Sequence, residues 1–298
     1  MYTNFEKYDI ILIILQKLKG LITIPELPEV ENVKRSLENK VIGKTIVGCS
    51  VINEKLIKKP TVQEFAKDIT GLKITYLYRR GKYLVFTMDF SYELVVHLGM
   101  TGLLIHVNNI NEIPQKYSKH LHVLIQLDGN TLLCYCDIRK FGSLRLLRQI
   151  NPYEAIAKMG PEPWEIGVRK SFKTRLSAKK WTNKTIKEAI MNQEVIAGVG
   201  NIYASEALYA SRIDPNRLVN KITDVERELI LTNIQDILQK SIDLGGTSIS
   251  DYLNGEGKKG QFQNYLKIYG KKKCECGTDL KTVEIKGRNT FYCQNCQK

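Results

Sequence analysis

The feature that most constrains the fold is a change of texture at Gly160-Pro161-Glu162-Pro163. Ahead of that linker, from about 47 to 147, the chain is a series of short β-rich runs such as 82–88, 92–98, 123–127 and 131–136. Asp128-Gly129 with Asn130 supplies a hairpin turn between the last two runs. Behind the linker, apolar residues recur at helical spacing over 168–178, 186–191, 202–210 and 225–244. Strands followed by helices predict an α+β multidomain chain, with an antiparallel sandwich or barrel first and a helical domain second. A length of 298 residues suits two domains better than one.

A third unit is marked by cysteine placement. Of seven cysteines, Cys49, Cys134 and Cys136 are scattered, whereas Cys274, Cys276, Cys293 and Cys296 crowd the C-terminal segment. Two cysteine pairs sixteen residues apart form a zinc-ribbon pattern, because so small a segment cannot hold itself together by apolar burial alone. The first pair encloses one residue instead of the usual two, which tightens its knuckle; a metal-free hairpin is the alternative. An odd cysteine total without an export signal indicates a reducing compartment, here the cytoplasm. The apolar stretch 10–15 is too short to span a bilayer, and Glu6 and Asp9 stand where a secretion signal would be basic.

The net charge of +14 points to a polyanionic partner, nucleic acid ahead of an acidic membrane surface. Several segments then stand out. Pro25-Glu26-Leu27-Pro28-Glu29-Val30-Glu31 opens a helix whose apolar positions are Leu27, Val30, Val33 and Leu37, with Gly43 beyond its end. The early glutamates suit the positive helix end, which accounts for Glu29 and Glu31. A free N-terminal proline beside a carboxylic acid would be a reaction centre, but Pro25 follows Ile24, so its nitrogen is a tertiary amide without a nucleophilic lone pair. Gly198-Val199-Gly200-Asn201 feeds a helix start and can present N–H groups to a phosphate. Arg79-Arg80-Gly81-Lys82-Tyr83 opens a strand and places a cation at its edge, with a solvated basic turn as the simpler alternative. His97-Leu98-Gly99-Met100-Thr101-Gly102 and Asp137-Ile138-Arg139-Lys140-Phe141-Gly142 place Met100, Arg139 and Phe141 on tight loops. Such side chains suit an enzyme that fills the hole left by an extruded nucleotide.

Together these segments resemble bacterial formamidopyrimidine-DNA glycosylase from Pro25 to Lys298, in order and spacing. The resemblance implies a β-sandwich domain with its N-terminal helix over 25–155. It further implies a helix–two-turn–helix DNA-binding domain with a lesion loop over 156–262 and a zinc finger over 263–298, with 1–24 as an extension. It implies one Zn2+ held by Cys274, Cys276, Cys293 and Cys296. The expected partner is double-stranded DNA containing oxidised bases; no membrane is involved, and the protein is expected to work as a monomer.

Carried over by position, Pro25 is the nucleophile, Glu26 the neighbouring acid, Lys82 the proton donor of β-elimination and Arg288 the arginine of δ-elimination. His120, Arg139, Lys184, Lys187 and Asn201 match DNA-contacting positions. Met100, Arg139 and Phe141 match the void-filling trio, and 247–263 corresponds to the loop over the flipped lesion. Three departures are plain: Leu121 stands where the family usually has aspartate, the first cysteine pair is short, and Ile24 occupies the place of the initiator methionine. The leading expectation is a bifunctional glycosylase/lyase for 8-oxoguanine and formamidopyrimidines, translated from codon 24. Two alternatives are a non-catalytic binder of damaged or abasic DNA with a blocked Pro25, and an endonuclease VIII-like enzyme for oxidised pyrimidines. Leu27 and the Arg139–Phe141 pair favour the purine branch.

Overall fold

The computed structural model describes residues 24–149, 153–249 and 251–298. Residues 1–23 of the expected extension, and Ser250 in the expected lesion loop, lie outside the described residues. Helix α1 (Leu27–Val41) starts at Glu26, whose backbone N–H donates to Glu29 Oε2 at 2.8 Å, with Pro28 in the first turn. Its apolar stripe serves two cores. Leu27 packs with the helical domain, whereas Val30, Val33, Leu37 and Val41 enter the sandwich. One helix therefore fastens the two domains, with its N-terminus at their junction.

The strands and helices of the first domain are β1 (Ile46–Val51), β2 (Ile57–Lys59), α2 (Val62–Ile69), β3 (Ile74–Arg80), β4 (Tyr83–Met88), β5 (Tyr92–His97), β6 (Gly102–Val107), α3 (Gln115–Ser118), β7 (Leu121–Leu127), β8 (Thr131–Asp137) and β9 (Ser143–Arg148). They form a four-stranded sheet in the order β1-β7-β8-β6 and a five-stranded sheet in the order β2-β9-β5-β4-β3. Two separate sheets make this a sandwich, not a closed barrel. All pairs are antiparallel except β2 with β9. Gly129 and Asn130 both take positive φ in the β7–β8 turn, as that turn chemistry requires. Inward residues such as Leu77, Phe86, Leu94, Val123 and Leu133 form the core between the sheets.

After a short helix α4 (Glu154–Ala157) ahead of the linker, the helical domain holds α5 (Val168–Leu176), α6 (Ile186–Ile190), α7 (Asn201–Ala210) and α8 (Asp224–Asp243). Thr185 and Thr223 cap α6 and α8 by accepting from the N–H groups of Glu188 and Glu226. Phe172, Trp181, Ile190, Tyr203, Ile234 and Phe262 meet in the domain core. A C-terminal hairpin of β10 (Lys281–Ile285) and β11 (Arg288–Tyr292) completes the chain. Among the described residues, no helix is long and apolar enough to cross a membrane.

The Gly-Pro-Glu-Pro linker is anchored. Glu162 accepts from Arg79 Nη1 at 2.7 Å, Arg80 Nη1 at 3.2 Å and the Gly81 N–H at 2.7 Å. Arg79 also reaches Glu31 at 2.9 Å. The basic turn read as solvated is therefore an ion-pair network locking the β3–β4 turn to the linker and to α1. Glu31 accordingly answers to Arg79 as well as to the helix dipole.

Candidate active site and nucleic-acid interface

A cavity of about 200 Å³ opens where α1, the β3–β4 turn, the start of α7 and the finger hairpin converge. Ile24, Glu26, Lys82, Met191, Asn201, Tyr269, Lys286 and Arg288 are among its lining residues. Pro25 is buried and adjoins Glu26. The Glu26 carboxylate accepts from the Gly200 N–H at 2.5 Å and from the Ile202 N–H at 2.9 Å. It thus occupies the anion seat that a glycine turn and helix N-terminus create. The expectation of a DNA phosphate there meets an internal carboxylate instead. Burial raises the Glu26 pKa, against the opposing pull of Lys82 and these N–H groups. Burial lowers the Lys82 pKa, against the attraction of Glu26 and Glu29. The seat requires glycine, because a Cβ on Gly200 would lie 2.4 Å from Glu26 Cδ and 2.5 Å from Lys82 Nζ. Arg288, first residue of β11, is exposed at the mouth.

Lys187 differs from an exposed phosphate-contacting lysine. It is fully buried, and its Nζ donates to Asn201 Oδ1 and to Thr290 Oγ1, each at 2.7 Å. Burial pulls its pKa from 10.5 to about 7. Asn201 in turn donates to the Asn289 carbonyl at 3.2 Å and to the Tyr269 hydroxyl at 3.3 Å. The two residues therefore tie α6 and α7 to the finger hairpin. Lys184 is exposed, with Nζ 3.8 Å from Glu188 Oε1.

Glu29 holds the loop 247–263 in place. Its Oε1 accepts from the Tyr203 hydroxyl at 2.6 Å and the Thr247 N–H at 2.7 Å, and Tyr203 also meets Ser241 and Thr247. Further along, Tyr252 donates to the Glu29 carbonyl at 3.1 Å and the Gly255 N–H to Ser36 Oγ at 2.9 Å. Burial raises the Glu29 pKa from 4.5 to about 7. Helix-dipole complementation is thus too small a role for this residue. Sequence reasoning missed it because its partners, Tyr203 and Thr247, lie over 170 residues away.

Met100, Arg139 and Phe141 are brought together at one sheet end. His97 pairs with Tyr83 across β4–β5 and with Ser143 across β5–β9, so both loops emerge beside the turn carrying Lys82. Buried Asp137 clamps them: Thr101 Oγ1 donates to Oδ1 at 2.6 Å, the Gly142 N–H to Oδ2 at 2.8 Å and the Arg139 N–H to Oδ1 at 3.2 Å. The loops approach so closely that a Cβ on Gly99, at φ +64°, would lie 2.4 Å from the Gly142 nitrogen. Phe141 is 58% exposed, and the Arg139 guanidinium lies 5.0 Å from its ring centre. His120 immediately precedes β7, its carbonyl accepting from the Asp137 N–H at 3.0 Å.

The four C-terminal cysteines converge, with all Sγ atoms within 4.8 Å of one another. Cys274 is included despite the short knuckle. Four thiolates about 2.3 Å from a zinc ion would sit about 3.8 Å apart. The observed Cys274–Cys296 and Cys276–Cys293 separations are 3.8 and 3.6 Å, so the donor set and its size fit zinc. The finger is docked firmly: buried Glu206 of α7 accepts from the N–H groups of Lys267, Ile268 and Tyr269, and Gln297 bridges Cys293 to Ile213.

A sandwich and a helical domain stapled by one helix, a carboxyl–ammonium pocket at their junction and a four-cysteine finger define a multidomain DNA-binding protein. Three family models match successive parts of the chain: the formamidopyrimidine-DNA glycosylase N-terminal domain over 24–144, its H2TH domain over 159–252, and the zinc finger found in FPG and IleRS over 271–298. The chain is 39% identical to the formamidopyrimidine-DNA glycosylase of Halalkalibacterium halodurans, and 37% identical to that of Pelotomaculum thermopropionicum. These alignments cover 92% of this chain and 100% and 99% of those proteins. Crystal structures of Lactococcus lactis Fpg are similar throughout. A point mutant with Fapy-dG DNA has a TM-score of 0.82 at 35% identity, and a complex with abasic-site DNA has 0.80 at 35% identity. Each covers 92% of this chain, and 100% and 99% of those chains. The chain belongs to the formamidopyrimidine-DNA glycosylase family.

Proposed function

We propose that this protein is a bifunctional DNA glycosylase and abasic-site lyase for oxidised purines, with Pro25 as its nucleophile. The observation that carries the reading is the buried Glu26 carboxyl, seated on the start of α7 next to Pro25 and facing Lys82 in the junction cavity. In this reading 25–155 carries the nucleophile and acid, 156–262 the DNA-gripping helices and 263–298 the finger with one zinc; 1–24 adds nothing to the chemistry. The lesion class is supported by the Lactococcus lactis relative, crystallised with Fapy-dG DNA and with abasic-site DNA.

The working form has Pro25 as its first residue, since the Ile24–Pro25 amide removes the lone pair that chemistry needs. A terminal amine of pKa about 8 is partly neutral near pH 7. Its nitrogen bonds to C1′ of the damaged nucleotide as the bond from C1′ to the base breaks, and the proton shed by the alkylated amine leaves with the base. Glu26, whose raised pKa favours its protonated form, supplies the proton to the ring oxygen that opens the sugar and so assists loss of the base. The resulting iminium acidifies C2′; solvent water takes that proton and the freed electron pair expels the 3′ phosphate, and loss of the C4′ proton to water then expels the 5′ phosphate in a second elimination. Lys82 lies where it can donate a proton during the first elimination, and exposed Arg288 stands at the mouth for the second. Lys187 acts through Asn201, fixing its amide, while His120, Arg139 and Lys184 contact the DNA and Met100, Arg139 and Phe141 fill the vacated stack. Zinc, when bound by the four cysteines, supplies structural cross-linking of the finger.

Borohydride reduction on duplexes containing 8-oxoguanine opposite cytosine tests this. A chain beginning at Pro25 is expected to become covalently trapped; the same chain retaining Ile24, or carrying Pro25→Gly, is expected to trap far less. Tight binding without trapping by the Pro25-first chain would leave a damaged-DNA binder. Faster excision of thymine glycol than of 8-oxoguanine would reassign the substrate to oxidised pyrimidines.

A further inference from the structure

The shortened first cysteine pair raises a specific problem. With Glu275 alone between Cys274 and Cys276, the knuckle has one backbone N–H fewer to turn toward the first sulfur. A thiolate that holds a metal needs such donors to moderate its charge and fix its direction. Cys276 retains neighbours of its own: Thr278 Oγ1 at 3.2 Å and Asn295 Nδ2 at 3.8 Å. For Cys274 Sγ, apart from its fellow cysteines, the hydrogen-bond partner among the described residues is the Tyr209 hydroxyl, at 3.2 Å.

Tyr209 comes from outside the finger. It stands in the last turn of α7, the helix whose first residue is Asn201 at the active-site cavity. The two residues are separated by eight positions, about 12 Å along the axis. Between them, Glu206 collects three consecutive N–H groups of the segment entering the finger. Tyr209 packs against the small cluster formed by Ile268, Cys274 and Cys293. Its hydroxyl is therefore delivered to the sulfur by a rigid helix that is already in register with the finger.

We propose that Tyr209 is a positioning residue of the metal site: its hydroxyl donates to the Cys274 thiolate in place of the N–H that the one-residue knuckle lacks. The inference rests on the zinc reading of the four cysteines. It makes α7 a single strut, holding the Glu26 seat at one end and a metal ligand at the other.

The test uses the full chain and begins with zinc content, expected at one ion per molecule; a chain purified without zinc would overturn the zinc reading itself. Tyr209→Phe keeps the ring and removes the hydroxyl. Chelator competition is expected to show zinc held about 10- to 100-fold more weakly, with the denaturant midpoint of the helical domain unchanged. Inserting one glycine between Glu275 and Cys276 restores the two-residue spacing, and in that background Tyr209→Phe is expected to change zinc affinity less than twofold. Should the insertion fail to fold, the cobalt(II)-substituted single variant decides. Loss of a donor to one thiolate is expected to move its sulfur-to-metal charge-transfer band to lower energy. Unchanged zinc affinity and an unchanged cobalt spectrum, or an equal loss at both knuckle lengths, would overturn the proposal.

Discussion

Glu26 and Glu29 share one helix start, yet their surroundings assign them different work. Glu26 faces the cavity and Lys82, so Glu26→Gln is expected to slow base release by about 10²- to 10⁴-fold. Incision of a preformed abasic site should suffer less, because no base has to leave; gel assays on 8-oxoguanine and abasic duplexes read both. Glu29 faces away, toward Tyr203 and Thr247. Its folded pKa is raised from 4.5 to about 7, so its contribution to stability is complete below pH 4.5 and is lost as pH rises through about 7. Denaturant titrations from pH 4.5 to 7.5 should show wild-type stability falling relative to Glu29→Gln across that window; parallel curves would contradict this. Glu26 was legible from its place beside Pro25. Glu29 was not, since its role depends on a tyrosine and a loop that only the fold brings to it; Lys187 was matched to a DNA-contacting position, and nothing local announces its burial.

At the scale of elements, the candidate site is built on α7 and the two loops that bear Met100, Arg139 and Phe141. Gly200 is where the α7 turn admits Glu26 and Lys82 at contact distance. Gly200→Ala is expected to displace both groups and to cost about 10²-fold in kcat/KM, the effect of an ångström-scale misplacement, while α8 and the sandwich remain folded by circular dichroism. Phe141 is exposed, so Phe141→Ala should leave Tm unchanged. If the ring fills the vacated stack, kcat/KM on a fully paired duplex should fall about tenfold, a barrier change of about 1.4 kcal/mol. The fall should be smaller on single-stranded substrate. The major strands and helices were legible from apolar period and turn chemistry, to within a residue or two at most ends, although α1 runs on to Val41. Ion-paired anchoring of the linker was not, because Glu162 meets Arg79 and Arg80 from across the sequence.

For the whole molecule, the chain carries a net charge of +14, and its Lactococcus lactis relative is crystallised on DNA. Binding should therefore weaken steeply with salt: six phosphate contacts imply a loss of about 10³-fold in affinity between 50 and 200 mM. Chelation of zinc should unfold the finger and abolish duplex binding, yet leave the sandwich and α8 cooperative in thermal unfolding, since their cores do not include the cysteine cluster. Division into a sandwich, helices and a finger was legible because each has its own texture, and the four-cysteine cluster because its spacing is distinctive. The strut role of α7 was hidden, since it needs both ends of the helix to be seen against the finger. The central claim is that the Pro25 nitrogen forms the bond to the sugar. It is tested most directly by reducing the reaction of a Pro25-first chain with 8-oxoguanine DNA and locating the adduct by peptide mass spectrometry. The account predicts the sugar remnant on Pro25; a remnant on Lys82, Lys187 or any other lysine, with Pro25 unmodified, would contradict it.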